Sequence, residues 1–323
     1  MTGRETWTAA RLGVRIVLSV GILPFIRYGK EPPVTLMQKA ITPSLTHAHL
    51  TQGHDRIAGY VVRAEDVAFA TTPAQLFEVH GLGYPGSPFS PYDRYIDILR
   101  FESSPQLQYR DVPGYIVPLW WLRHSRIPPG AELIRVFDDG SSTLLARYGD
   151  VGSGWTVTQL GAPRPSLASL SRCVGPVAKW HGAYLEADVV DGGRTVVLAL
   201  ANPPLAETGF QQSPSGRWFR RVAREDVSEL FELDLTARWN GLSVRVVDQW
   251  QDAQRYVVAR ISHLGDDIER AERLHLERIE AGVYEAIVYA AELTDIQTNQ
   301  VVPHTWTPGP AAAEQQQQYW AHS

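Results

Sequence analysis

Ala178-Lys-Trp180-His-Gly182 and Ala237-Arg-Trp239-Asn-Gly241 share one five-residue pattern, and the residues after each copy decide the fold. Apolar and polar residues then alternate, through Tyr184, Glu186 and Val189 in one copy and Leu242, Val244 and Val246 in the other. Period-two alternation marks a β-strand with one buried face. Turn residues come next, Asp191-Gly192-Gly193 and Gln251-Asp252-Ala253, and then the strand-like runs Arg194 to Ala199 and Arg255 to Arg260. Further along, Ala206-Glu207 answers to Ala271-Glu272, and Gly216-Arg-Trp218 to Gly282-Val-Tyr284. Asp226-Val-Ser-Glu-Leu230 answers to Glu292-Leu-Thr-Asp-Ile296.

Seven matches in one order indicate a unit written twice, with four or five short strands per copy. The tryptophan of each copy suits a core position, and the glycine two residues on suits a bulge or a close backbone approach. Ile268, Ala271, Leu276 and Ile279 fit a helical face, yet the other copy has Thr208 to Pro214 there. The repeat therefore limits the helix to a short turn over 266–273, with a strand after it into Gly282.

Outward from the repeat, the chain reads as mainly β to α+β. Residues 1–36 are an extension, 37–162 a mixed β/α domain, and 172–235 and 236–302 two tandem β-barrel-like or bent-sheet repeats. Residues 303–323, with Pro308-Gly-Pro310 and Gln315 to Gln318, read as a disordered tail. Pro163, Pro165 and the serines near them mark the domain boundary. In the first domain Gly59 to Arg63, Tyr95 to Phe101 and Tyr115 to Leu122 are expected strands. Pro73 to Val79 is an expected helix started after Thr71-Thr72 and stopped at Gly81. Glu132 to Phe137 and Thr143 to Tyr148 flank Asp138-Asp139-Gly140 as a hairpin.

Composition excludes several function classes. The 323 residues are 44% hydrophobic and 20% charged, as in globular proteins. A formal net charge of -5 with no basic cluster gives no footprint for nucleic acid. Cys173 is the single cysteine, so neither an intramolecular disulfide nor a cysteine zinc site can form, which suits a reducing cytoplasm. Lys30, Lys39 and Lys179 are the only lysines among 30 basic residues, a bias that codon usage in a GC-rich bacterial genome explains. Ile16 to Ile26 is an apolar run too short to span a membrane. Arg27 and Lys30 come after it where a cleaved leader carries small residues, and Met37 is an alternative start of the folded protein. No membrane association is expected.

Candidate site residues lie in the first domain. The rigid loop Leu82 to Pro91 presents Tyr84 and Phe89, and lacks the glycine–lysine pattern of a phosphate loop. Leu119-Trp120-Trp121-Leu122-Arg123-His124 places its two tryptophans on opposite faces of a strand, with Arg123 on the face of Trp121. Tyr84, Phe89, Trp120, Trp121, Arg123 and His124 are accordingly the expected binding residues. His47 and His49, read on a strand, would share a face that a metal could use with His54. No metal ligand set is complete, no cofactor is implied and no catalytic residue is identified. Glu225, Asp226, Glu292 and Asp295 read as surface charge. These readings favour a non-enzymatic module with a protein partner, an immunity or antitoxin-like protein being one concrete form. An enzyme acting on a small ligand in the first domain and a metal-binding protein are the alternatives.

Overall fold

The computed structural model describes residues 35–104, 106–110, 114–158, 170–204, 208–265, 267–303 and 306. Outside the described residues lie the expected extension up to 34, the boundary segment 159–169, Ala206-Glu207, and the expected tail apart from 303 and 306. The chain is half strand and 13% helix, in two antiparallel sheets.

The first sheet is built from β1 (Leu36–Ile41), β2 (Arg56–Arg63), β3 (Tyr95–Glu102), β4 (Leu107–Arg110), β5 (Leu119–Arg126), β6 (Glu132–Phe137), β7 (Ser142–Tyr148) and β8 (Trp155–Val157). Their spatial order is β4-β5-β2-β1-β3-β6-β7-β8. Neighbouring side chains in the central strands serve opposite cores. Met37, Val61, Leu99 and Phe101 fill one side, and Ala40, Val62, Ile96 and Ile98 the other. That double burial leaves β1 and β3 without a clean alternation, and it takes in Gln38, Lys39 and Asp97 as well as the apolar residues.

Two helices close the faces. In α1 (Pro43–Gln52) the Thr42 side chain accepts from the Leu45 amide, Pro43 opens the first turn, and Gly53 ends the helix at φ 66°. In α2 (Pro73–Val79) Thr72 and Gln75 form a capping box, and Leu76 and Val79 pack on Ile96 and Ile98. The strand expected to carry His47 and His49 is therefore a helix, because Thr42, Pro43 and Gly53 are start and stop signals that the two histidines do not override.

The second sheet comprises β9 (Val174–Trp180), β10 (Ala183–Val190), β11 (Thr195–Leu200), β12 (Gln211–Gln212), β13 (Trp218–Ala223), β14 (Glu229–Trp239), β15 (Leu242–Gln251), β16 (Val257–His263), β17 (Glu277–Glu280), β18 (Val283–Tyr289) and β19 (Thr294–Val301). The helix α3 (Ile268–Arg273) precedes β17. Residues 229–234 of β14 pair with β9, 236–239 pair with β15, and β19 runs along 232–238. Glu232 to Asp234 are paired to both β9 and β19, and Thr236 and Arg238 to both β15 and β19. One edge of β14 thus serves β9 and β15 in succession, its other edge serves β19, and the sheet forks into two wings. Neither sheet closes into a barrel, which corrects the barrel-like form of the expectation. Each wing ends on a short strand, β12 or β17, that does not return to β14.

Trp180 faces Ala183 and Trp239 faces Leu242 across two-residue hairpins. His181 and Asn240 take φ 48° and 47°, and Gly182 and Gly241 take 77° and 75°. Positive φ at both central residues is what a tight hairpin of this twist requires.

Candidate functional site

Four successive residues of β5 each reach into the second sheet. Arg123 makes two 3.1 Å hydrogen bonds to Asp234 on β14. His124 Nε2 lies 2.7 Å from Glu285 Oε1 on β18. Ser125 donates to Glu232 on β14 at 3.0 Å. Arg126, fully buried, donates to the carbonyls of Ala187 at 2.7 Å and Val174 at 3.0 Å, and stands 3.7 Å from Asp188. Asp55, immediately before β2, accepts from the Ser171 hydroxyl at 2.7 Å. Gly175 makes this approach feasible: at φ 86°, a Cβ there would lie 2.7 Å from the Arg126 Cβ.

Beside this seam, Lys39, His49, His54, Arg56, Glu280 and Glu285 line a small cleft that, with the solvent at its mouth, encloses about 340 Å³. Its lysine and its carboxylates are paired. Lys39 Nζ is 2.7 Å from Glu280, and Glu285 also meets Arg260 at 3.0 Å. Burial drives His49 down to about 4 and His54 well below its ordinary value, the latter helped by the Arg56 charge. Burial alone would raise Glu285, but the His124 hydrogen bond and the charges of His124, Arg56 and Arg260 hold it far below the usual carboxylate range. Neutral imidazoles and fully engaged carboxylates are suited to fastening one sheet on the other.

The expected binding residues are distributed around this seam. Arg123 and His124 are committed to Asp234 and Glu285. Trp120 is half-buried against the first core, edge-on to Tyr109 at 5.2 Å. Trp121 points the other way, edge-on to Tyr60 at 4.9 Å, and a Cβ on Gly282 would sit 3.0 Å from it. The Arg278 guanidinium lies over the Tyr84 ring at 5.0 Å and donates to the Pro85 carbonyl at 2.9 Å. Tyr84 and Trp121 therefore flank the β17–β18 hairpin. Phe89 packs with the α2 core and does not line the cleft.

His47 is exposed, His49 is buried, and the His49 Nδ1 is 2.9 Å from the His54 carbonyl. Two residues apart on a helix, His47 and His49 do not share a face. Among the described residues no group of three or more His, Cys, Asp or Glu is placed to hold a metal. Burial also pushes the Cys173 thiol well up. Glu225 and Asp226 lie in a 3-10 turn, and Glu292 accepts from the Trp239 indole at 2.8 Å.

Sequence reasoning missed Asp234, Glu232 and Glu285, whose partners in the first sheet stand more than 100 positions away. One signal was available: in Phe231-Glu-Leu-Asp-Leu235 both faces of a strand carry residues that need burial or pairing.

A second surface lies at the outer end of the second wing. Trp250, Val258 and Tyr289 are cross-strand neighbours on β15, β16 and β18, as are Arg260 and Ile287. Tyr256 and Tyr289 pack edge-on at 5.7 Å. Tyr256, Ile287 and Tyr289 are 60%, 55% and 50% exposed. The opposite face of these strands, with Ala259, Ile261, Tyr284 and Val288, is core. No described helix is long and apolar enough to cross a membrane.

The model of a family described as "Uncharacterised conserved protein UCP033725" matches residues 178–304. That stretch covers the forked sheet from within β9 onward, including Asp234, Glu285 and the exposed aromatic face. No curated protein and no solved structure matches the chain.

Proposed function

We propose that the chain is a protein-binding module without catalytic activity, and that its partner docks on the outer face of β15, β16 and β18. The observation that carries this reading is the cluster of Tyr256, Ile287 and Tyr289, each at least half exposed, beside Trp250 and Arg260. Tyrosine, tryptophan and arginine are the residues that dominate binding energy at protein interfaces, and contiguous exposed apolar surface marks such sites. The patch also adjoins Glu285, where the first sheet already covers the same face, so it continues an existing contact surface.

We read the forked sheet as a tandem duplication. The matching hairpins at Trp180 and Trp239 support it, with near-equal φ values at their central residues. So do the 3-10 turns Arg224–Asp226 and Ala290–Glu292, each leading into the strand that pairs beside the first strand of its unit. A duplicated unit whose two copies differ on their outer faces can present a surface in one copy that the other lacks.

The test compares the wild-type chain with an Ile287→Asp/Tyr289→Ala variant as bait in a lysate of its own host, with binding measurements on the purified partner as the second step. A partner held by the wild type and weakened about 100-fold by the variant is expected. Equal binding by both chains would overturn the reading.

A further inference from the structure

Arg56 is the charged group of the cleft that the seam does not use. Lys39 meets Glu280, and Glu285 meets His124 and Arg260. Arg56, the first residue of β2, is half-buried and makes no ion pair among the described residues. Its guanidinium donates to the Ser171 hydroxyl at 3.3 Å, while its Nε is buried with no acceptor among them. Asp248 and Glu285 feel its charge, yet both are engaged elsewhere. Asp248 accepts from the amides of Arg172 and Gln249, and the two oxygens of Glu285 are taken by His124 and Arg260. The neighbouring Asp55 is spent on Ser171 and Arg217. The His54 ring lines the same cleft and rests on His49, with 5.2 Å between ring centroids. Its nitrogens have no hydrogen-bond partner among the described residues.

We propose that Arg56 and His54 form a subsite for one carboxylate, carried by a free acid or by an acidic side chain of a partner. A guanidinium presents parallel N–H groups that match the two oxygens of a carboxylate, and a neutral imidazole adds one further donor. Binding would give the buried Nε the acceptor it lacks, and a buried donor left without one carries its full desolvation penalty. The surroundings set the charge of the ligand. One cation is without a contact partner, and Glu280 and Glu285 stand in the same cleft, so a monoanion is accepted where a phosphate dianion is repelled. Size agrees: about 340 Å³, with the solvent at its mouth, is at the small end of ligand pockets. After burial, the Arg56 charge is the largest cause of the low His54 value, as a cation without an anion beside it would produce. The subsite does not rest on the aromatic face of the second wing, so either can fail without the other.

Titration of the full-length, isotope-labelled chain with sodium acetate at neutral pH, followed by NMR at an ionic strength held constant with sodium chloride, tests the proposal. Saturable shifts of the Arg56 Nε and His54 ring signals are expected, with a dissociation constant on the order of 1 mM for a single carboxylate. A capped peptide with one glutamate is the second probe. Tighter binding than acetate marks a partner's side chain as the source, and weaker binding a free acid. Inorganic phosphate should bind more weakly than acetate. Arg56→Gln should weaken acetate about ten-fold, and Arg56→Lys, which keeps the charge and loses the fork, by a smaller factor. The lysine variant carries the test if the glutamine variant does not fold, and thermal unfolding near the wild-type temperature shows that its fold is intact. No saturation in the wild type, phosphate binding tighter than acetate, or acetate affinity that ignores the substitution at Arg56 overturns the proposal.

Discussion

Buried titratable side chains give this protein a defined response to acid. His49 and His80 are buried as neutral rings, with burial the main cause of their lowered values, about 4 and about 3. Both groups have folded values below the unfolded 6.5. The unfolded chain thus binds protons first as pH falls, and stability drops from pH 6.5 down toward those values. Each group removes ~1.4 kcal/mol per pH unit over its window. His54, lowered by burial and by Arg56, acts in the same direction. Asp188 opposes them: burial raises it to about 7 against 3.8, so its burden is full above pH 7 and is relieved as pH falls. Burial raises Glu232 and Asp248 in the same sense as Asp188, so the imidazole share is read by difference: His80→Gln should flatten the dependence of the denaturant midpoint on pH below 6.5, and an unchanged dependence would contradict this assignment. A second expectation concerns Gly175. Its φ of 86° and its 2.7 Å approach to Arg126 make Gly175→Ala strained on both counts. A loss of about 2 kcal/mol or more in chemical unfolding is expected, whereas Gly192→Ala, with open space around it, should lose only the backbone contribution.

At the scale of elements, the sequence was informative wherever a local signal decides the outcome. Pro73 to Val79 is a helix, Glu132 to Phe137 is one arm of a hairpin around Gly140, and the run after Asp266 is a short helix and then a strand. Each has a cap, a turn glycine or a repeat partner that acts within a few residues. Elements set by distant contacts were less legible. β1 was overlooked because a strand buried on both sides has no alternation to read, although it lies in the middle of its sheet. The strand expected over 115–122 runs from Leu119 to Arg126, since Arg123 to Arg126 find their partners in β9, β10, β14 and β18 and not in solvent. The same contacts account for what was legible of the binding residues. Opposite faces for Trp120 and Trp121 follow from strand geometry, but no local pattern discloses that Arg123 and His124 are spent on Asp234 and Glu285. Thr42 offers a test at this scale. Thr42→Ala removes the acceptor for the Leu45 amide, and should cost ~1 kcal/mol of stability. Hydrogen exchange should rise first in the opening turn of α1, with little change in β1.

Across the whole molecule, the seam determines whether the two sheets behave as separate bodies. Apolar contact alone would let each sheet keep its own core and unfold alone. The contacts at β5 are of another kind: Arg126 and Asp234 are almost wholly buried ionic groups that each take a partner from the opposite sheet, Asp234 sharing its charge with Arg245 of its own. Separation would leave Asp234 without Arg123, Glu285 without His124, and the Ala187 and Val174 carbonyls without Arg126. These groups are tolerated in the interior only with their partners in place: deleting one side of such a pair costs roughly 3–5 kcal/mol, because the abandoned charge stays in a poor solvent. One cooperative unfolding transition is therefore expected for the described core, with calorimetric and van't Hoff enthalpies in agreement. Arg126→Ala leaves Asp188 buried without its arginine, and should lower the transition steeply. Replacing Arg126 by Met and Asp188 by Leu together removes both charges while keeping apolar volume, and should recover most of that loss. Recovery in the double variant would separate the burden of an orphaned charge from the need for the arginine itself. Two resolved transitions in the wild type, or equal losses in the single and double variants, would mean that the seam does not couple the sheets.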